Sequence, residues 1–303
     1  MSSRALGLKR AVAEFMATRG LPGEMEQNLV KEAIHLHLLS ALSDAGILRQ
    51  VVFQGGTALR LCYGGERYSE DLDFVCGRQG AYLDKAEFET LVKKALETAK
   101  TSLQREFDFG GDAILFKQPD HPMAILGKAL AVAAWQIVVP LASTARAPKS
   151  RIKIEFANVP SHDNGPRVAR VPSGLVQIQD VILTVESEHE ILADKAVALT
   201  ARDALKYRDI WDVWDLTNRL HARADRAIVQ RKFGDYGVAD VEKKARKRID
   251  ELSKETTAKS FVQEMSRFLP AKRVAEMTQA GLHRTIMTAS TDLIRRTVLA
   301  ASA

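Results

Sequence analysis

The stretch Gln50-Val51-Val52-Phe53-Gln54-Gly55-Gly56-Thr57-Ala58-Leu59-Arg60-Leu61, and after it Arg67-Tyr68-Ser69-Glu70-Asp71-Leu72-Asp73-Phe74-Val75, decides how this chain is read. Gln50 to Phe53 is short, β-branched and bounded by glycines, as a buried strand is. Thr57 to Tyr63 reads as a short helix, and Gly64-Gly65 breaks it. Asp71 to Val75 then alternates polar and apolar residues as a strand does. The local order is strand, glycine turn, helix, strand.

That order carries chemistry. Two glycines after a strand let the backbone approach a ligand closely and free N–H groups at the start of the next helix, so Gly55-Gly56-Thr57 fits a phosphate seat. The same three residues also fit an ordinary turn with Thr57 as helix cap. Asp71 and Asp73, two apart on a strand, emerge on one face with Cα atoms roughly 6 to 7 Å apart, while Leu72 and Phe74 point into the core. Paired carboxylates call for a cation, and oxygen-only ligands suit Mg²⁺ or Mn²⁺. Solvated acids at a strand end are the plainer alternative.

Working outward, Glu24 to Leu48 places Leu29, Ile34, Leu38 and Leu42 at helical spacing, and Lys85 to Lys100 is a second amphipathic helix. Further strands are expected at Leu103 to Phe109, Ala133 to Val139, Ile152 to Phe156 and Gln179 to Val185. From Ser187 onward the pattern is almost wholly helical, which sets a boundary near residue 186. The expectation is an α+β chain, with residues 1–185 forming a mixed sheet flanked by helices and residues 186–303 a basic helical domain.

The 303 residues are 46% apolar, enough for a substantial core. The longest apolar run, Ala129 to Ala142, is interrupted by Gln136 and Pro140 and falls short of the roughly 18 to 20 residues a bilayer span needs. No signal-peptide core develops at Met1-Ser2-Ser3-Arg4, so a cytoplasmic protein with no membrane partner is expected. Cys62 and Cys76 are too few for a disulfide framework and lack zinc-site spacing, and read as plain buried residues. The net charge of +6 is uneven: residues 201–303 hold 21 Lys and Arg against 14 Asp and Glu. Such asymmetry fits a polyanion partner or a solvated basic helical face.

Gly-Gly-Thr, a short helix, then Asp-Leu-Asp-Phe resembles the signature of the DNA polymerase β-like nucleotidyltransferases. More narrowly, Gly55 to Leu61 followed by Arg67 to Phe74 resembles the AbiEii/AbiGii toxin family, to which the MenT toxins belong. A second block agrees in order and spacing: Glu190 to Lys195, Ala198-Leu199, Arg202, Lys206, Arg208-Asp209 and Asp212.

The resemblance implies a polymerase β-like sheet domain and an Mg²⁺-dependent enzyme. Asp71 and Asp73 are then catalytic metal ligands, with Glu155 as the third. Gly55, Gly56, Thr57, Arg67 and Ser69 are nucleotide-binding residues. Lys195 faces the triphosphate in a cleft between the lobes, with Asp209 as a base or as the organiser of Lys195. Ser69 is a regulatory phosphosite for the antitoxin of some members. The implied reaction moves nucleotides from an NTP to the 3′ end of tRNA, releases pyrophosphate and blocks translation, which makes the chain a toxin with a cognate antitoxin. Lys243, Lys244, Arg246, Lys247 and Arg248 are the expected RNA-binding residues. Transfer to a protein or small-molecule hydroxyl, and a catalytically idle nucleic-acid-binding module, remain open alternatives.

Overall fold

In the computed structural model, residues 3–78, 81–107, 115–117, 123–126, 130–140 and 149–299 are described. The chain divides into two compact units, Met1–Ser161 with Gly165–Val185, and His162–Asn164 with Glu186–Ala303.

The first unit contains helices α1 (Ser3–Arg19), α2 (Glu26–Asp44), α3 (Gly55–Tyr63) and α4 (Lys85–Phe107). Its strands are β1 (Val52–Gln54), β2 (Asp71–Arg78), β3 (Leu115–Lys117), β4 (Met123–Leu126), β5 (Leu130–Pro140), β6 (Lys149–Ser161), β7 (Asn164–Ala169) and β8 (Val181–Glu186). They form one mixed sheet in the order β3-β5-β6-β2-β1-β8-β7, with β4 on β5. Strand β2 runs antiparallel to β1 and parallel to β6. The expected strands at Ala133 to Val139 and Ile152 to Phe156 fall within β5 and β6, and that at Gln179 to Val185 overlaps β8, which begins at Val181.

Leu103 to Phe109 is not a strand as far as it is described. Helix α4 continues to Phe107, and residues 108 and 109 lie outside the described residues. Phe88, Leu91, Val92, Ala95, Ala99 and Leu103 are all buried and repeat every three or four residues, so one apolar stripe carries the helix past Lys100. Packing of that stripe overrides the local β-like composition at its end.

The centre of the sheet rests on a short aromatic ladder. Phe53, Phe74 and Phe156 are register partners on adjacent strands, with ring centroids 5.2 Å apart at both contacts. All three are buried, so truncating Phe74 to Ala removes about 3–5 kcal/mol. Because side chains alternate along a strand, anchoring Phe74 and Leu72 in the core forces Asp71 and Asp73 to the other face.

Helix α2 braces the chain just before β2. It is buried on most sides, and its polar residues meet the Glu66–Glu70 loop and α3: Lys31 Nζ lies 2.6 Å from Glu70, Arg60 Nε lies 2.7 Å from Glu32, and His35 Nε2 lies 3.1 Å from the Glu70 carbonyl. Burial pushes His35 down to about 4, so the ring is neutral near pH 7.

The second unit is helical: α5 (Glu188–Ala201), α6 (Tyr207–Asn218), α7 (Arg226–Asp235), α8 (Val241–Leu252), α9 (Glu255–Met265), α10 (Ala271–Gln279) and α11 (Leu282–Ile294). Ser187 caps α5, its hydroxyl accepting from the Glu190 amide at 3.1 Å. Trp211 and Trp214 pack together with centroids 5.1 Å apart inside this unit, as helix-packing residues. Among the described residues no helix is long and apolar enough to cross a membrane.

Candidate active site

Strands β2 and β6 lie parallel, with Asp71 opposite Lys153 and Asp73 opposite Glu155. Paired residues share a face, so three carboxylates and one ammonium stand together above the Phe53-Phe74-Phe156 ladder. The four are half-buried, between sealed neighbours Leu72, Phe74, Ile152, Ile154 and Phe156. The Lys153 amide donates to Asp71 Oδ1 at 3.3 Å, and the Lys153 ammonium pairs with Glu155. Burial pulls the Lys153 ammonium down, but Glu155, Asp73 and Asp71 outweigh it, and Lys153 titrates above its ordinary range.

The glycine turn abuts this face. Gly55 has φ +79, and a Cβ there would fall 2.7 Å from Asp73 Oδ2. Only glycine satisfies both the left-handed backbone and that close approach. A Cβ on Gly56 would collide with the Arg67 guanidinium and come within 2.9 Å of Ser69 Oγ. Arg67 Nη1 donates to the Tyr68 carbonyl at 2.8 Å, and Arg67 and Ser69 are both nearly buried. The structure thus brings Gly55, Gly56, Arg67, Ser69, Asp71, Asp73 and Glu155 to one neighbourhood.

Thr57 takes a different part from the one read in the sequence. Its hydroxyl is buried and donates to the Asp71 carbonyl, and Gln54, not Thr57, occupies the cap position of α3. That donor is spent tying α3 to β2 and is not offered to a phosphate.

In the helical unit, Lys195 Nζ lies 2.7 Å from Asp209 and 2.8 Å from Asp212, and Arg202 also pairs with Asp209. Burial raises the Asp209 carboxyl, but Lys195 and then Arg202 overcome it and hold the group below its ordinary value. Asp212 shares the Lys195 ammonium with Asp209. Its position three residues after Asp209 on α6 puts both acids on one helix face, which is the signal that finds it.

Two basic residues of the helical unit, Arg248 and Lys232, are buried and not open to RNA as their charge suggests. Arg248 is buried: Nε donates to the Leu199 carbonyl at 2.6 Å, and the same guanidinium reaches the Arg202 carbonyl and Glu251. It satisfies the carbonyl end of α5 and is closed to RNA. Lys232, counted in the basic surplus, is buried with its ammonium 3.2 Å from Glu186, 2.8 Å from Glu190 and 2.7 Å from Asp194. Lys243, Arg246 and Lys247 are exposed on α8 and Lys244 is half-exposed there, with Arg246 held at 2.7 Å to Glu242.

Among the described residues, Glu186, Glu190 and Asp194 are the one set of three potential ligands whose oxygens close to within 4.8 Å. Lys232 already supplies the cation there. Cys62 and Cys76 are free thiols pushed up to about 12 by burial, which makes them inert.

The family profile described as nucleotidyl transferase AbiEii toxin, type IV toxin–antitoxin system, matches residues 37–280. The chain belongs to this family. Among solved structures, MenT4, a nucleotidyltransferase toxin from Mycobacterium tuberculosis H37Rv, matches at TM-score 0.51 and 18% identity, over 96% of this chain and 90% of that one. JHP933 from Helicobacter pylori matches at TM-score 0.40 and 15% identity, over 91% of this chain and 95% of that one, a likeness too loose to argue from. Comparison with curated proteins gives no significant match. The AbiEii assignment makes the chain a nucleotidyltransferase toxin and implies a cognate antitoxin, while the MenT4 likeness shows the shared fold.

Proposed function

We propose that this AbiEii toxin is a divalent-metal-dependent enzyme that transfers nucleotides from an NTP to the 3′ end of tRNA and so blocks translation in the cytoplasm. The observation that carries the reading is the in-register carboxylate face of Asp71, Asp73 and Glu155 beside a glycine turn. The donor set is all oxygen, half-exposed and rich in negative charge, which fits Mg²⁺ or Mn²⁺. Asp71 and Asp73 would hold the ion, with Glu155 as the third ligand. When bound, such an ion neutralises phosphate charge and lowers the pKa of an attacking hydroxyl.

The chain's own groups supply the rest. Gly55 and Gly56, lacking Cβ atoms, let the Asp73 carboxylate and the Arg67 guanidinium close against the start of α3, where the first-turn N–H groups and the Arg67 charge would take phosphate oxygens. Within the helical unit, Asp209 and Asp212 orient the Lys195 ammonium, a point charge suited to phosphate oxygens. The acceptor hydroxyl attacks the α-phosphorus: a new oxygen–phosphorus bond forms, the bond to the β-phosphate bridge breaks, and pyrophosphate leaves. Lys243, Lys244, Arg246 and Lys247 would follow an RNA backbone without reading sequence. A phosphate on Ser69 would crowd Gly56 and add negative charge beside the carboxylate face, which gives the antitoxin a means of inactivation.

The test is incubation with each α-labelled NTP, magnesium and total tRNA. Labelled tRNA with the wild type and none with Asp71→Asn supports the reading. Failure of all four triphosphates to label RNA overturns the tRNA acceptor, and label on protein instead redirects it to a protein hydroxyl.

A further inference from the structure

Lys153 stands among the carboxylates of the β2/β6 face without a role from the motifs or the family. It stands on β6 directly opposite Asp71 and two residues before Glu155, so its side chain shares their face. Its backbone amide is committed to Asp71 Oδ1 at 3.3 Å, yet its ammonium reaches along its own strand to Glu155. Glu155 is the register partner of Asp73, so two like charges lie side by side with the ammonium next to one of them.

We propose that Lys153 is a tethered counter-ion that occupies Glu155, so that Glu155 joins the metal-binding pair only when a divalent ion displaces the ammonium. Lys153 is then a positioning residue that acts through Glu155. This rests on the reading of Asp71 and Asp73 as the metal seat.

Three features support displacement. The Lys153 and Glu155 side chains keep 35% and 27% of their surface in contact with solvent, so the ammonium can leave without crossing the core. A lysine stem is flexible and its charge compact, unlike an arginine fork that would lock onto the carboxylate. The contrasting lysine in this chain, Lys232, is 1% exposed and touches three acids at once, which leaves it nowhere to go. A cation resident at Glu155 shields the carboxylate face from self-repulsion before metal arrives, at the cost of metal affinity.

Isothermal titration with Mn²⁺ tests this without any nucleotide or RNA. Lys153→Met should bind Mn²⁺ about tenfold more tightly than the wild type, the size expected for removing one nearby positive charge in a partly solvated site. Lys153→Arg, whose fork holds the Glu155 carboxylate, should bind Mn²⁺ about tenfold more weakly than the wild type, and Lys153→Gln guards against a folding defect peculiar to methionine. In a Glu155→Gln background the gain from Lys153→Met should shrink to about twofold, because the occupied carboxylate is gone. An unchanged or weakened affinity in both Lys153→Met and Lys153→Gln overturns the proposal. An undiminished gain in the Glu155→Gln background also overturns it, since Lys153 would then act as bulk charge. Asp71→Asn separates the two layers: if it binds Mn²⁺ as the wild type does, the metal-seat reading itself has failed, whatever Lys153 does.

Discussion

Two regions of this molecule hold the same inventory, three carboxylates and one lysine, and do opposite things with it. Around Lys232, the acids Glu186, Glu190 and Asp194 are drawn from the end of β8 and from α5, and the ammonium contacts all three in a sealed interior. Glu190 also accepts from the His162 amide at 2.8 Å and from the Asp163 amide at 2.5 Å, which ties the turn after β6 to α5. On the sheet, Asp71, Asp73 and Glu155 are half-open, and Lys153 pairs with Glu155 at one side of the face. The closed cluster is a joint, and the open one is the proposed seat. The number of acids does not separate them; burial and the reach of the lysine do.

Removing the lysine from each cluster breaks the comparison most forcefully. Lys232→Met leaves three buried carboxylates without their cation and should cost about 3–5 kcal/mol in urea unfolding. Lys153→Met removes a half-exposed charge and should cost under about 1 kcal/mol. Equal losses at the two sites would erase the distinction.

Neutralising the acids gives the converse result. Asp73→Asn should lower nucleotide transfer by about 10²–10³-fold while leaving the melting temperature unchanged or higher, because a like charge is relieved. At the closed cluster, Glu186 sits well above its ordinary range, chiefly through burial and then the charge of Asp194. A carboxyl with a raised folded pKa contributes stability that is fully present below its unfolded value and is lost as pH rises through the folded one. Glu186→Gln should therefore hold or raise stability at neutral pH and flatten that loss, with little effect on transfer.

The support beneath the sheet face carries its own pH signature. His35 is held at about 4, below its unfolded value near 6.5, so its contribution is complete above pH 6.5 and is lost as pH falls through 4. Acidification across that window should remove about 3 kcal/mol, and His35→Gln should blunt the loss in melting curves taken from pH 7 to 4. Asp209, depressed by Lys195 and Arg202 against its burial, extends the acid sensitivity lower: its share is present above about 3.8 and is lost as pH falls through its folded value. Gly55→Ala should cost roughly 1–2 kcal/mol for the left-handed backbone. Its effect on transfer should be far larger, since the new Cβ meets the Asp73 carboxylate.

The open region was legible in the sequence and the closed one was not. Asp71-Leu72-Asp73-Phe74 declares its own geometry, because a period of two places both acids on one face and both apolar residues on the other. Glycine 55 likewise announces a backbone that other residues avoid. Lys232 and Arg248 read as surface charge because their partners are distant in sequence: 46 residues separate Lys232 from Glu186, and 49 separate Arg248 from Leu199. Counting charges along a chain cannot see such pairing. Thr57 was ambiguous for a related reason, since its acceptor, the Asp71 carbonyl, appears only once α3 folds back beside β2. At α4 the local pattern of Leu103 to Phe107 misled because the apolar stripe that keeps it helical begins fifteen residues earlier, at Phe88.

The central claim is that the open carboxylate face, and not the closed cluster, is where a divalent cation binds. Electron paramagnetic resonance of Mn²⁺ titrated into the wild type, Asp73→Asn and Asp194→Asn tests it directly. The account predicts bound Mn²⁺ in the wild type and in Asp194→Asn, and its loss in Asp73→Asn. Retention in Asp73→Asn with loss in Asp194→Asn would contradict it.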